Sequence, residues 1–227
     1  MFLSRRSMQA EYFDAERPAI ELAHFFKSLG RVNRFFAFAE PFQRLVPRRI
    51  GTEKCQSLSI LDLGAGDGTL GNELNAWARR RNWNWHITNL DHSLPALRLN
   101  PTASNVAASA TALPFHDNSF DLVIASQMAH HLADEQVIQL LRESWRVARL
   151  AIFVSDLHRT VVLYSLLWIL LHIQGHTEVF CADGLLSVKR SWRVPELKQL
   201  AAKAGLSEAY ISVLFGTRVI LEASKLA

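Results

Sequence analysis

Short apolar runs alternate with amphipathic segments from about residue 58 onward. The runs at 58–63 and 120–126 are rich in apolar residues, which is typical of strands buried on both faces, and 85–90 and 151–155 are also predicted to be strands. Between them, the segments 69–81 and 134–149 carry apolar residues at helical spacing. Such alternation predicts an α/β fold in which helices cover a parallel, Rossmann-like doubly wound sheet.

The end of the chain predicts a β-hairpin. Two strand-like runs, 209–215 and 218–223, are joined at Gly216-Thr217. A helix that Pro195 opens and Gly205 closes precedes them. We therefore expect the last strand to run antiparallel to its neighbours.

Residues 1–50 show helical periodicity and no strand pattern, so they predict a helical N-terminal cap. Its first helix is expected to start near Pro18 and to end at Gly30. A short helix is expected over 34–39, with Pro41 breaking it. The remaining residues, 51–227, are expected to form the main domain.

The most apolar stretch is 161–173. It is shorter than the roughly 20 residues that span a bilayer, and it contains polar Ser165 and His172. This favours a buried helix, with contact to a membrane surface as the alternative. A loop is expected over 175–187, and the region 157–190 is interpreted as an apolar lid inserted in the main domain.

Composition narrows the class of protein only slightly. The 227 residues carry 25 basic and 21 acidic side chains, and the pI is about 9.3. This excess permits an anionic partner without requiring one. Cys55 and Cys181 form no metal-binding pattern, so no metal is expected. Isolated cysteines and an N-terminus without a signal-peptide core suggest a cytoplasmic location.

A glycine-rich turn follows the first apolar run, with the sequence Asp62-Leu63-Gly64-Ala65-Gly66-Asp67-Gly68. Its GxGxG spacing is one residue tighter than the GxGxxG fingerprint of dinucleotide sites, which disfavours an NAD oxidoreductase. S-adenosylmethionine (SAM) has a cationic amino acid tail and no phosphate. Gly64 and Gly66 would let the backbone approach that tail, and Asp62 could hold its ammonium group. Asp91 ends the second strand, where an acid binds ribose hydroxyls.

The run 62–68 resembles motif I of the class I SAM-dependent methyltransferases. Leu113-Pro114-Phe115 followed by the run 118–123 is similar to the "LPF…sFDlV" segment of the quinone and small-molecule methyltransferases. The runs 31–34 and 155–159, with Asp183-Gly184, Ser187 and Arg190, look like methyltransferases encoded near type III polyketide synthases. This resemblance implies SAM as the cofactor and a seven-stranded sheet with an antiparallel last strand.

The resemblance also implies a cofactor site. In the family, an Asp five residues before the Pro of "LPF" binds the adenine amino group, and this chain has Ser109 there. The residues expected to bind the cofactor are Asp62, Gly64, Ala65, Gly66, Asp91, His92, Ser109, Ala110 and Gln127.

Residues at the carboxyl ends of the later strands are candidates for the chemistry. His130, His131 and His158 are the candidate general bases, although a His pair at 130–131 commonly serves local structure in the resembling families. The candidate acceptor-binding residues are Asn33, Arg34, Asp156 and Arg159. Alternatively, Asp156 caps the following helix and Arg159 is solvated.

The leading functional prediction is methyl transfer to a small phenolic, quinol-like or polyketide acceptor of hydrophobic character. The basic pI keeps a nucleic-acid methyltransferase as an alternative, but the chain has no motif for recognising nucleic acid, and no such partner is expected. Ser109 keeps a second alternative, a catalytically weak SAM-binding regulatory protein. Both a monomer and a homodimer remain open.

Overall fold

A seven-stranded sheet forms the centre of the computed structural model, which describes residues 3–101 and 104–226. Its strands are β1 (Ser57–Leu63), β2 (Asn84–Asp91), β3 (Ser104–Ala107), β4 (Phe120–Ser126), β5 (Ala148–Leu157), β6 (Tyr210–Leu214) and β7 (Arg218–Ser224). The order across the sheet is β3-β2-β1-β4-β5-β7-β6. This confirms the predicted α/β class and the seven strands.

Strand β7 runs antiparallel between β5 and β6, as the hairpin pattern predicted. The first five strands pair in parallel. Because β7 is antiparallel, its first residue lies beside the last residue of β5, so Arg218 pairs with Leu157. The start of β7 therefore lies at the carboxyl edge of the parallel strands, where ligands bind in this type of sheet.

The helices are α1 (Ala19–Phe35), α2 (Glu40–Ile50), α3 (Thr69–Arg79), α4 (Leu94–Leu97), α5 (Asp134–Val147), α6 (Val161–Ile173), α7 (Glu178–Arg190) and α8 (Val194–Lys203). Three short 3₁₀ turns accompany them, at Tyr12–Asp14, Lys54–Gln56 and Ala129–His131.

Two predicted breaks in the N-terminal region are wrong. Helix α1 passes through Gly30 and ends at Phe35, because Val32 and Asn33 are buried one turn beyond the glycine. Tertiary packing there overrides the weak helix propensity of glycine. Pro41 does not break a helix but lies in the first turn of α2, where its missing N–H leaves no hydrogen bond unmade.

Helices cover both faces of the sheet. Helices α5 and α8 pack on one face through residues such as Leu140 and Leu200. Helices α2 and α3 pack on the other, with Phe42 and Leu74 almost completely buried. Helix α2 thus contributes directly to the central core.

Helix α6 has one buried and one exposed apolar face. Leu163, Leu167 and Leu171 are buried against α1 and α7. The outward face carries Val161, Val162, Leu166, Trp168, Ile169 and Ile173, all substantially exposed. Burial is therefore confirmed for one face only, and contact with a membrane surface stays a prediction. Within 3–101 and 104–226, no helix has the length and apolarity needed to cross a bilayer.

The loop expected over 175–187 is instead helix α7, so that prediction is wrong. The hydroxyl of Thr177 accepts a hydrogen bond from the backbone N–H of Phe180 and caps the helix. Phe180 and Val188 are buried in the same cluster as α6. Polar and small residues on the remaining positions conceal this helical pattern in the sequence.

Arg159 ties together three separate parts of the chain. Its side chain is fully buried and donates to the backbone carbonyls of Leu3 (3.1 Å) and Ser191 (2.5 Å). It also pairs with the carboxylate of Glu196 at the start of α8. A buried guanidinium with this many partners stabilises the arrangement of the segments that it joins.

Replacing Arg159 should therefore destabilise the fold. Arg159→Met leaves two carbonyls without a donor, and we expect a loss of about 3 kcal/mol in the free energy of unfolding. Urea unfolding followed by circular dichroism measures it. Arg149→Met is the control, because Arg149 pairs with Asp121 at the surface and should cost about 1 kcal/mol or less. Equal costs for the two variants would contradict the structural role of Arg159.

Candidate functional site

The glycine turn after β1 adopts a backbone that requires glycine. Gly64, Gly66 and Gly68 all have positive φ, at 67°, 56° and 72°. A Cβ at Gly66 would lie 2.6 Å from the ring of Phe26, and one at Gly64 would lie 2.7 Å from Met128. The turn is fixed to β2 by the N–H groups of Gly64 and Ala65, which both donate to the carbonyl of Leu90. Other residues at 64 and 66 would be strained and would clash.

Asp91 holds the turn from the end of β2. Its carboxylate accepts from the backbone N–H groups of Gly66 and Ser93, each at 2.8 Å. Burial alone would raise the pKa of Asp91, but hydrogen bonds from His92, Ser93 and Gly66 keep it below the usual value. His92, predicted to bind the cofactor, lies at the surface 3.3 Å from the Asp91 carboxylate. Asp91 is thus an ionised acid at the sheet edge.

Asp62 lies below the turn and is almost completely buried. Its Oδ2 atom has no hydrogen-bond partner among the described residues. Burial, together with the negative charge of Asp91, raises the pKa of Asp62 to about 8. A buried acid with an unpaired oxygen is costly unless a ligand supplies a donor or a positive charge. The geometry therefore indicates a cationic ligand group at this position.

The N-terminal helix α1 reaches the same edge. Phe26 packs on the glycine turn, and buried Asn33 accepts a hydrogen bond from the side chain of Gln127 at 2.9 Å. Gln127 follows β4 with a φ of 52°, a left-handed conformation that is uncommon for residues with a side chain. Asn33 and Gln127 were both predicted site residues. Sequence analysis missed Phe26, whose apolar ring gives no signal of a role beside a ligand site.

The predicted adenine-binding residues lie on the short turn after β3. The hydroxyl of Ser109 is exposed and lies 2.8 Å from that of Thr111. Ala110 packs against the core. Ser109 thus offers a hydroxyl at the surface and no carboxylate.

The adjacent histidines occupy different environments. His130 is buried, and its Nδ1 lies 2.7 Å from a carboxylate oxygen of Asp156, which also accepts from the His130 backbone N–H. The side chain of His131 is 36% exposed, and its Nδ1 lies 2.6 Å from a carboxylate oxygen of Asp14. His130 is therefore a buried side chain held by Asp156, while His131 is partly exposed to solvent.

A buried carboxylate lies next to this pair. Glu11 Oε1 is 3.9 Å from His130 Nε2 and 4.0 Å from His131 Nδ1, and burial raises the pKa of Glu11 to about 7. Within the described residues, these three side chains form a group able to hold a metal ion. However, Arg190 already places a positive charge 3.7 Å from the same oxygen, which weakens the case for a metal.

The remaining predicted residues are distributed unevenly. Asp156 is buried and serves His130 rather than an open space. His158 lies at the end of β5, where its Nδ1 is 3.3 Å from the carbonyl of Gly216 and burial lowers its pKa. Arg34 is exposed on α1. The donors of Arg159 are committed to Leu3, Ser191 and Glu196, so these contacts favour a structural role and show that the residue is not solvated.

A cavity lies between α1, α6, α7 and the sheet edge, and its volume of about 530 Å³ includes space that is open to solvent. The wall formed by the helices is apolar except for Ser187 of α7 and Asn33 of α1, and its apolar contributions come from Leu29, Val32, Leu163, Leu167, Leu171 and Phe180. The sheet edge contributes Gln127, Thr217 and Arg218, and Asn33 lies beside Gln127. Since Gln127 belongs to both the cavity wall and the predicted cofactor site, the two regions adjoin.

Arg218 is the other functional candidate that sequence analysis missed. The antiparallel last strand was predicted, and it brings the first residue of β7 to the ligand edge of the sheet. The hairpin pattern in the sequence therefore places residue 218 near this edge. The pattern alone does not distinguish a buried arginine after a hairpin turn from a solvent-exposed one.

The fold and the site define a class of protein: a seven-stranded sheet with an antiparallel final strand, a glycine turn after β1 and acids at the ends of β1 and β2. Residues 61–150 match the family model described as a methyltransferase domain. Over these residues, the chain is similar to methyltransferase domains.

The most informative sequence relative is a demethylmenaquinone methyltransferase from Renibacterium salmoninarum, which is 34% identical over 121 residues. The alignment covers 52% of this chain and 45% of that protein, so the chain spans less than half the length of this curated relative.

Solved structures show the same fold. A SAM-dependent methyltransferase from Aquifex aeolicus aligns over 92% of this chain and 99% of its own, with a TM-score of 0.57 and 13% identity. Magnesium protoporphyrin IX methyltransferase from Synechocystis, with bound S-adenosylhomocysteine (SAH), aligns over 82% of each chain with a TM-score of 0.53 and 14% identity.

The geometry and charge of the residues around the glycine turn are suited to SAM. The unpaired buried oxygen of Asp62 suits an ammonium group, and the positive-φ glycines allow close backbone approach. Asp91 is an ionised acid that can accept from hydroxyl groups.

Adding a side chain to the glycine turn should weaken ligand binding. Gly66→Ala introduces a Cβ that collides with Phe26, and we expect SAH affinity to fall at least about tenfold, as measured by calorimetry. Gly205→Ala is the matched control: its φ is 88°, but nothing lies within 4 Å of an added Cβ. It should lose stability through backbone strain while keeping its affinity. A Gly66→Ala protein that binds SAH normally would contradict the expectation that the ligand lies close to the backbone of the glycine turn.

Proposed function

We propose that this protein is a SAM-dependent methyltransferase that acts on a small hydrophobic acceptor of phenolic, quinol-like or polyketide type. The observation that carries the proposal is the unpaired, buried carboxylate of Asp62 beneath a glycine turn that adjoins an apolar cavity. One region is suited to a cationic cofactor and the other to an apolar acceptor.

When bound, SAM supplies a methyl group on a positively charged sulfur. The chain's own contribution is binding and orientation, which account for much of the acceleration in a displacement of this kind. Asp62 and the turn at 64–66 hold the amino acid tail, and Asp91 holds the ribose hydroxyls. Gln127, fixed to Asn33, forms the boundary between cofactor and acceptor.

The acceptor class follows from the cavity. Its helical wall is apolar, so a ring or an alkyl chain would be desolvated there at a gain of about 25 cal/mol per Å² of buried apolar surface. The relative from Renibacterium salmoninarum carries the name of a quinone-pathway methyltransferase, which supports a quinol-like acceptor.

His131 is the favoured general base. A phenol or quinol must lose a proton as its oxygen is methylated, and a histidine paired with a carboxylate can accept it. Asp14 orients His131 through Nδ1, leaving Nε2 as the second ring nitrogen. Burial opposes ionisation of Asp14, but hydrogen bonds from His131 and Arg190 hold its pKa below the usual range, so it stays anionic.

SAH titration at several pH values tests the cofactor site. In the free protein Asp62 is protonated below about pH 8, whereas an ammonium ligand favours the carboxylate form. Binding then releases a proton below about pH 8, so SAH affinity should rise with pH, by up to about tenfold per unit, and level off above about pH 8.

Asp62→Asn should bind SAH more weakly and lose this pH dependence. Asp67→Asn is the matched control, because Asp67 lies on the same turn but accepts from the N–H of Thr69. Failure of the native protein to bind either SAM or SAH at high concentration would overturn the proposed function.

Substitutions of the two histidines should affect different properties: activity for His131 and stability for His130. His131→Ala should lower kcat by about 100-fold with little loss of stability, while His130→Ala should cost about 3 kcal/mol in unfolding free energy by leaving Asp156 buried without its partner. The assays are SAH release with a panel of phenols and quinols, and urea unfolding. A fully active His131→Ala enzyme would rule out His131 as the base.

A further inference from the structure

Arg218 differs from Arg159, another buried cation at this edge of the sheet. Its side chain is almost completely buried, and it lines the cavity beside Thr217. Among the described residues, its Nη1 atom has no hydrogen-bond partner. Arg159, by contrast, has partners for its donors. A buried guanidinium with an unused donor is expensive, so its retention at a cavity wall points to a ligand.

The surrounding charges keep Arg218 ionised without forming a hydrogen bond to its Nη1 atom. Burial lowers the pKa of Arg218 to about 10, while Asp156 and Glu40 act in the opposite direction. Asp156 is hydrogen-bonded by His130. Glu40 Oε1 lies 3.7 Å from Arg44, and Glu40 Oε2, like Arg218 Nη1, is buried without a hydrogen-bond partner among the described residues. The guanidinium therefore remains charged at neutral pH, while its Nη1 donor has no hydrogen-bond partner among the described residues.

We propose that Arg218 binds an anionic oxygen of the acceptor, so that the cavity selects molecules combining an apolar body with one phenolate or carboxylate group. The apolar wall from α1, α6 and α7 takes the body, and the guanidinium at the start of β7 takes the oxygen. Charge-assisted hydrogen bonds of this kind are short and directional, so Arg218 also fixes the orientation of the acceptor.

This inference rests on the proposed function for the identity of the occupant, but the cavity itself can be tested without turnover. Two matched probe pairs separate the possible anions. Octanoate and octanol differ in a carboxylate, whereas 2,6-dichlorophenol, which is ionised at about pH 8, and 2,6-dichloroanisole differ in a phenolate. Binding to the full chain is followed by calorimetry or by tryptophan fluorescence.

At least one anion should bind the native protein about tenfold or more tightly than its neutral counterpart. The pair showing the preference identifies the acceptor oxygen as carboxylate or phenolate. Arg218→Met should bind the neutral probe normally and lose the preference, while keeping SAH affinity. Equal binding of anionic and neutral probes in both pairs, or an unchanged preference in Arg218→Met, would overturn the proposal.

Control variants distinguish a specific loss of anion binding from a folding defect. Replacing a buried ion by an apolar group of similar size is often tolerated, and Arg218→Lys keeps the charge and should keep part of the preference. Arg142→Met removes an exposed arginine on α5 and should change nothing. If Arg218→Met does not fold, the native protein and Arg218→Lys still decide the question. Native protein that prefers the anions but does not bind SAH would overturn the methyltransferase proposal alone.

Discussion

The buried carboxylate of Asp156 organises the ligand edge of this protein. It accepts hydrogen bonds from the backbone N–H groups of His130 and Leu157, and it contacts Nδ1 of His130. Burial opposes its charge, but its interactions with His130 and the Leu157 N–H keep its pKa below the usual value. The segment after β4 is thereby held against β5. This segment includes Met128, which lies next to Gly64, and Gln127, which lines the cavity. An apolar residue at 156 would remove the acceptor that fixes this segment.

The N-terminal region is part of the site rather than a separate cover. Phe26 packs on the glycine turn, Asn33 holds Gln127, and Asp14 pairs with His131. The turn at Tyr12–Asp14 is itself held by Asp183 of α7, whose carboxylate accepts from the backbone N–H groups of Tyr12 and Phe13. Residues far apart in the chain therefore surround both the glycine turn and the cavity. We expect ligand binding at the turn or in the cavity to depend on how α1 and α7 pack.

Local patterns were sufficient to predict most of the fold. Buried strands read as apolar runs, and the bounds of β4 and α6 follow from their sequence alone. Strand β3 was missed because it has four residues, none of them fully buried, at the edge of the sheet. Helix α7 was missed because its buried positions, including Asp183 and Arg190, are partly charged, so hydrophobic periodicity fails to show it.

The residues of the candidate site also fall into two groups, those whose positions local sequence patterns predict and those whose positions depend on distant partners. The positions of Asp62 and the glycines could be predicted because a turn between a strand and a helix fixes them through neighbours close in sequence. The position of Asp91 could be predicted because it ends the next parallel strand, at the same edge of the sheet. Arg159 and Arg218 could not be told apart, because the partners that saturate Arg159 lie 32 and 37 residues later and at the N-terminus.

The contrast between these two arginines bears on specificity. A protein that needed only a stable edge could satisfy both guanidiniums internally or replace one with an apolar residue, often at no cost in stability. The cavity instead keeps one cation balanced at longer range by Asp156 and Glu40, and leaves one of its donors unused. That balance lowers the cost of the empty site and still rewards an anionic oxygen, because a direct hydrogen bond in a desolvated cavity is stronger than the distant charges that it supplements. Neutral apolar molecules gain only from the helical wall. Discrimination therefore lies in one side chain at the start of β7, and the antiparallel course of that strand is what brings it to the acceptor.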